Sequence, residues 1–225
     1  MTSDTILFDI NETVLDLSTL RPLFKAVFGD ESVTSTWFTM LLHSSTVCSL
    51  TDVKTDFASL AKIMLESLAG KLKVNLTDQM SYDILNAFAG LTAHDDIKPA
   101  LQKLRLAGFR CIAFSNSSLQ LINQQINNAG LKEYFDDIVS VEESGSFKPD
   151  YNVYQFAANR VHRPIELLWL VATHDWDTHG AISAGMRGAY IDRSGAPYHP
   201  LYCQANVEGK TMGEVIEKII TLNIE

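Results

Sequence analysis

The residues of this chain that could do chemistry fall into four clusters, each just past a short apolar run. Asp9 closes Thr5-Ile6-Leu7-Phe8 and precedes Asn11, and Ser115-Asn116-Ser117-Ser118 follows the run from Phe109 to Phe114. Lys148 lies beyond the run from Ile138 to Val141, and His174, Asp175 and Asp177 follow the run from Leu167 to Ala172. In chain order these are an acid, a hydroxyl and amide group, a lysine and a second acid pair. Carboxylates can act as nucleophiles or bases, a lysine keeps a nearby carboxylate ionised, and hydroxyls and amides bind anions. The order says more than any one member, because such groups act together only if the fold gathers them.

The apolar runs read as buried parallel strands, with a further one from Ala189 to Ile191. Helical patterns separate them. Ile97, Leu101 and Leu104 share a face between a candidate N-cap at Asp96 and a stop at Gly108. Leu119, Ile122, Ile126 and Ala129 form a second face, with Ser118 as its cap and Gly130 at its end. Tyr154, Ala157, Ala158 and Val161 form a third before Pro164, and Met212, Val215, Ile216 and Ile219 a last one. Strands alternating with helices predict an α/β fold with a mostly parallel sheet covered on both faces. Ligands of such sheets bind beyond the carboxyl ends of the strands, where all four clusters would then meet.

The stretch after the first strand breaks this rhythm. Leu20, Leu23, Phe24, Val27 and Phe28 fit one helix, and Trp37, Met40 and Leu41 another. Phe57, Ala61, Met64, Leu65 and Leu68 fit a third, and Tyr82, Leu85 and Phe88 a shorter fourth. A helical block there predicts an inserted α-helical cap over residues 18–91, with a core made of 1–17 and 92–225.

Composition bounds the partners. Of 225 residues, 46% are hydrophobic and 20% charged, which suits a folded globular chain. The net charge of −9 repels phosphate backbones and anionic lipid, which argues against nucleic acid or membrane as main partner. Met1-Thr2-Ser3-Asp4 lacks the basic start of a signal peptide, so a cytoplasmic location is expected. The three cysteines, Cys48, Cys111 and Cys203, have no metal-ligand spacing, and Cys111 reads as a buried small hydrophobe.

With those residues in view, the chain resembles the haloacid dehalogenase superfamily. Phe8-Asp9-Ile10-Asn11-Glu12-Thr13-Val14-Leu15-Asp16 is similar to its first motif, a strand, a nucleophilic aspartate and a Thr-containing turn. Phe114-Ser115-Asn116-Ser117 resembles the second motif, Lys148-Pro149 the third and the segment from Thr173 to Asp177 the fourth. The resemblance covers nearly the whole chain and implies a Rossmann-like core with a helical cap. Phosphatases of the superfamily place a second aspartate at the position of Asn11, and a magnesium-binding aspartate at that of Thr173. Neither residue here can replace those acids. Both substitutions are usual in the 2-haloacid dehalogenases, whose reaction uses no metal and no cofactor.

The roles that follow are those the resemblance implies. Asp9 attacks the α-carbon of a small carboxylate substrate, displaces halide and becomes an ester that water then hydrolyses. Lys148 keeps Asp9 ionised, Asp177 activates the water and Thr13 supports the nucleophile. Ser115 and the backbone amides of Ile10 and Asn11 seat the substrate carboxylate. Asn116 and Trp176 line the halide pocket, and Tyr154 takes a supporting position. The family's cap arginine, which faces the leaving halide, aligns with Phe38; Arg21 and His43 are the candidate replacements. His174 stands where the family carries a neutral side chain, and a near-neutral imidazole there predicts a second base for water, against the plainer reading of a structural histidine. Glu12 and Asp175 read as turn residues, and Trp176 equally as a packed indole. A homodimer is common in the family. Two other functions stay open: hydrolysis of a non-halogenated, for instance phosphorylated, small molecule, and a binding role for a catalytically impaired member.

Overall fold

The computed structural model describes residues 4–224. The non-basic start at Met1, Thr2 and Ser3 lies outside the described residues. The elements follow in chain order as β1 (Thr5–Phe8), α1 (Arg21–Phe28), α2 (Val33–Thr51), α3 (Phe57–Leu72), α4 (Asp78–Ala89) and α5 (Ile97–Leu106). Then come β2 (Arg110–Ser115), α6 (Leu119–Asn128), β3 (Asp137–Ser140), α7 (Tyr151–Val161), β4 (Leu168–Ala172), α8 (Asp175–Ser183), β5 (Arg187–Ile191), β6 (Val207–Gly209) and α9 (Met212–Ile224).

The strands make one sheet in the order β3-β2-β1-β4-β5-β6, with every neighbouring pair parallel. All four residues of β1 and all five of β4 are buried, as expected of strands covered on both faces. β1 is central: Phe8 pairs with Ala113 on one side and Val171 on the other. From β1 the chain runs outward through β2 to β3, then returns to start β4 on the opposite side. Such a reversal opens a crevice at the carboxyl end of the first strand, and Asp9 stands there.

The helical stretch between β1 and α5 contains α1 to α4. Its centre is aromatic: Trp37 meets Phe24, Phe38 and Phe88 at ring separations of 5.4, 6.2 and 5.6 Å, and its indole N–H donates to the Ala61 carbonyl at 3.0 Å. Such contacts bury large apolar surface while satisfying the one polar atom involved.

Local differences from the sequence reading have physical causes. The short edge strand β6 was not expected, because Val207-Glu208-Gly209 offers too few residues to show a pattern. In α4 the buried face is Ser81, Ile84, Phe88 and Ala89, with Tyr82 64% exposed. The Thr77 cap and the packing of Phe88 set that rotation. Leu119 is exposed at the start of α6, while Gln125 is fully buried on the face that Ile122 and Ile126 share. Asp96 occupies the N-cap position of α5 without bonding to that helix. Its carboxylate instead accepts both arms of Arg193, at 2.8 and 2.9 Å, and the Met212 N–H at the start of α9. A bidentate guanidinium outcompetes a local amide, and the Arg193 fork also donates to the Thr13 carbonyl at 3.1 Å. Asp96 thereby ties the first motif to the carboxyl half of the chain.

Candidate active site

Five of the expected residues meet in one buried cluster around Lys148. Lys148, 1% exposed, donates to Asp9 Oδ1 at 2.9 Å and to Asp177 Oδ2 at 2.6 Å. Its third acceptor is the Phe114 carbonyl at 3.5 Å, so all three ammonium protons are directed. The Thr13 hydroxyl donates to Asp9 Oδ2 at 2.7 Å and accepts the Thr173 N–H at 2.9 Å, which joins the turns after β1 and β4. Tyr154 donates to Asp177 Oδ1 at 2.7 Å from α7.

The electrostatics follow from these contacts. Burial opposes the ionised form of Asp9, but Lys148 and His174 outweigh it and hold the carboxyl well below the usual carboxylate range. Asp177 moves the other way: burial and the nearby Asp9 charge raise it, despite Lys148 and Tyr154. Burial works against the Lys148 ammonium, yet two carboxylates keep its pKa above the ordinary lysine value. The cluster therefore presents an ionised Asp9 beside a carboxylate of enhanced basicity.

The second motif sits behind this cluster. Ser115 Oγ accepts the Ser117 N–H at 3.2 Å, and Asn116 Oδ1 accepts the Lys148 backbone N–H at 2.9 Å, fixing the lysine's loop. Asn11 was expected to offer its backbone amide to the substrate, and its side chain serves the core instead. It donates to Ser117 Oγ at 3.2 Å and Ser115 Oγ at 3.4 Å, and accepts from Gln125 Nε2 at 3.0 Å. A buried amide must satisfy donors and acceptor alike, and Gln125 supplies the match. Gln125 escaped the sequence reading because a glutamine on an amphipathic helix carries no positional signal. Ile10 has its side chain in the core, so only its backbone can serve a ligand, and Tyr154 reaches Asp177 without facing the cleft.

His174 is placed differently from the expected base. Its Nε2 lies 2.8 Å from Glu12 Oε2 and its Nδ1 3.5 Å from Asp9 Oδ2. Burial opposes protonation, but the two carboxylates win and lift its pKa to about 10. That direction favours the protonated ring, the opposite of what a near-neutral second base requires. Trp176 stacks on this ring at 5.1 Å, and Phe38 of α2 faces it at 6.4 Å. His43 is exposed on α2, whereas Arg21 lines a cleft of about 460 Å3 together with Glu12, Thr173 and His174. Asp175 accepts the Trp176 and His199 backbone N–H groups, as a turn residue should.

One glycine is required by this packing. A Cβ on Gly180 in α8 would lie 2.6 Å from the Tyr154 hydroxyl and 2.8 Å from Pro149. Gly180→Ala is expected to lower both activity and thermal stability, although alanine favours a helix by about 1 kcal/mol. The overpacking penalty of about 1–3 kcal/mol outweighs that gain. Thermal melts and steady-state rates check it; an unchanged or raised melting temperature would contradict the clash.

The haloacid dehalogenase-like hydrolase family model matches residues 3–171. The chain belongs to this family. Among its relatives is an (S)-2-haloacid dehalogenase of Pseudomonas fluorescens, 27% identical over 196 residues that cover 86% of each chain. (S)-2-haloacid dehalogenase 1 of Pseudomonas sp. strain CBS-3 is 27% identical over 218 residues and 96% of each chain. The fold is similar to that of an L-2-haloacid dehalogenase of Xanthobacter autotrophicus with chloropropionic acid covalently bound. That likeness has a TM-score of 0.89 at 20% identity and covers 96% of this chain and 98% of the other.

The magnesium site of the family's phosphatases does not fit this donor set. Thr173 stands at the metal-ligand position, and Asn11 is bound within the core. Both Asp177 oxygens face Lys148 and Tyr154, and the cations at Asp9 take the place a divalent ion would need. Among the described residues no helix is long and apolar enough to cross a membrane. Burial pushes the Cys111 thiol up to about 12, in keeping with a packed, inert cysteine.

Proposed function

We propose that this protein is a metal-independent hydrolytic dehalogenase of short (S)-2-haloacids. The observation that carries the reading is an ionised Asp9 bound to Lys148, with neutral residues at both positions where phosphatases need acids. Displacing halide from a saturated carbon needs an unprotonated nucleophile and no proton donor, since the halide departs as an anion. Asp9 attacks C2, the carbon–halogen electron pair leaves with the halide, and an ester forms with inversion. Water then attacks the ester carbonyl, giving up its proton to Asp177, whose complete burial favours taking one. The Ile10 and Asn11 amides and Ser115 orient the substrate carboxylate, and Asn116, Trp176 and Phe38 line the side toward which the halide leaves. The same reading takes residues 18–91 as a cap over the site and includes a cytoplasmic location and a homodimer, as is common in the family.

The test is halide release from (S)-2-chloropropionate with EDTA present, run beside hydrolysis of a phosphate ester with Mg2+. Halide release with EDTA, accompanied by 2-hydroxy acid, is the expected result. Magnesium-dependent phosphate release alone would overturn it.

A further inference from the structure

The Glu12–His174 pair has no role in the mechanism above. We propose that His174, aimed by Glu12, joins Thr13 as an oxyanion-stabilising pair on Asp9 Oδ2 during hydrolysis of the Asp9 ester. The inference rests on the reading that Asp9 forms such an ester.

The geometry supports it from several sides. Glu12 has φ +67°, a left-handed conformation that costs a non-glycine residue about 1 kcal/mol or more. Its carbonyl is held by His94 Nε2 at 3.0 Å, and its carboxylate receives His174 Nε2 at 2.8 Å. The turn therefore points a carboxylate at the imidazole. The ring's other nitrogen, Nδ1, is buried without a hydrogen-bond partner and faces Asp9 Oδ2 at 3.5 Å. Trp176 and Phe38 on either side limit rotation of the ring. An unfilled donor beside one oxygen of the nucleophile is available to strengthen its bond as charge grows there.

Other roles fit less well. Glu12 keeps its contact with Nε2 at 2.8 Å when Asp9 is esterified, so the ring retains a carboxylate that favours its protonated form over a proton acceptor. In-line displacement sends the halide to the side of C2 opposite the attacking oxygen, so a group touching Asp9 itself is poorly placed to receive it. Oδ2, with two donors, is the oxygen suited to remain a carbonyl, which leaves Oδ1 to attack.

The step balances as follows. Water oxygen bonds to Asp9 Cγ, its proton passes to Asp177, and the carbonyl electron pair moves onto Oδ2 between Thr13 and His174. The pair then re-forms the carbonyl and the Cγ–Oδ1 bond breaks, so Oδ1 leaves as the product alkoxide. Lys148, 2.9 Å from Oδ1, protonates the alkoxide and is reprotonated by Asp177 at 2.6 Å. The new carboxyl proton goes to solvent. Glu12 is a positioning residue in this scheme, and His174 a catalytic one.

The pH dependence belongs to a defined neighbourhood. Asp9 and Glu12 touch His174, while Asp16, Arg21, His94 and Arg193 line the same cleft. Asp175 and Asp177 lie on the helix that His174 caps, and Lys148 is the second cation on Asp9. Removing Glu12's charge withdraws one of the two contacts that raise the imidazole, so its pKa must fall.

The experiment is rapid-quench turnover of (S)-2-chloropropionate by wild type, His174→Ala and Glu12→Gln, with intact-mass detection of the alkylated chain. Imidazole titration by NMR and thermal melts accompany it. His174→Ala is expected to release one halide per chain in a burst and then stall, with adduct decay slowed about 10²-fold, the scale of one lost oxyanion donor. Glu12→Gln is expected to lower the His174 titration and to carry the alkaline limb of adduct decay down with it, because Glu12 is the carboxylate that still touches the ring once Asp9 is an ester. Wild-type adduct decay in His174→Ala overturns the inference, as does an unmoved alkaline limb in Glu12→Gln. If His174→Ala fails to fold, the Glu12→Gln limb alone decides. A wild-type chain that forms no adduct and releases no halide overturns the dehalogenase reading, and this inference with it.

Discussion

Asp9→Asn is expected to reduce halide release by about 10⁴-fold or more, the scale of losing a covalent nucleophile. An amide keeps the shape of the side chain, so the loss would report on charge and nucleophilicity rather than packing. Lys148 would keep Asp177 as its carboxylate partner at 2.6 Å. Removing the Asp9 charge also removes a repulsion that helps raise Asp177, so Asp177 should become more acidic in the variant. The fold should therefore persist, and a melting temperature near that of wild type separates lost chemistry from lost structure. Halide assays on the folded variant check the prediction. Substantial turnover by Asp9→Asn would remove Asp9 from the nucleophile's position.

Lys148→Met is expected to cost about 3–5 kcal/mol of stability at pH 7, because it leaves the buried Asp177 without its cation and Asp9 with His174 alone. It should also abolish turnover, since Asp177 would be pushed toward its protonated form and Asp9 Oδ1 would lose the ammonium beside it. The sign of the pH dependence follows from each group. Asp9 has a depressed pKa, so it stabilises the wild-type fold above its unfolded value and loses that contribution as pH falls through the folded one. Asp177 has a raised pKa, so its ionisation opposes folding at neutral pH and protonation relieves it. Lys148, also raised, contributes fully below its unfolded pKa, and that contribution is lost only as pH climbs through the folded value. In Lys148→Met burial and the Asp9 charge raise Asp177 with no ammonium to oppose them, so the variant should gain stability between pH 7 and 5. Denaturant midpoints at the two pH values check this: the gap to wild type should narrow at pH 5. Equal stability of the two proteins at pH 7 would contradict the expected dependence on a buried pair.

The two predictions concern residues that stand out in the linear chain for a definite reason. A strand buried on both faces must be a continuous apolar run, so its polar end residue is conspicuous, and Asp9 and the Ser115-Asn116 pair are visible for that cause. Strand order follows less directly, because β6 pairs at an edge with three residues and no pattern. Helix faces were legible where many apolar positions repeat, as in α9, and misread in α4, where few do.

The sequence by itself determined the α/β class, the helical stretch after the first strand, and the residue types that converge at the carboxyl edge of the sheet. Those are consequences of period and order, which a chain carries locally. Tertiary structure alone decided which polar groups face one another. The Asn11 side chain faces Gln125 because a buried amide 114 residues distant completes its hydrogen bonds. His174 is drawn toward its protonated form because Glu12, 162 residues earlier, reaches its ring while Asp9 lies beyond it. Protonation state and side-chain direction depend on distances of a few ångströms between segments remote in sequence, and no local pattern encodes those distances.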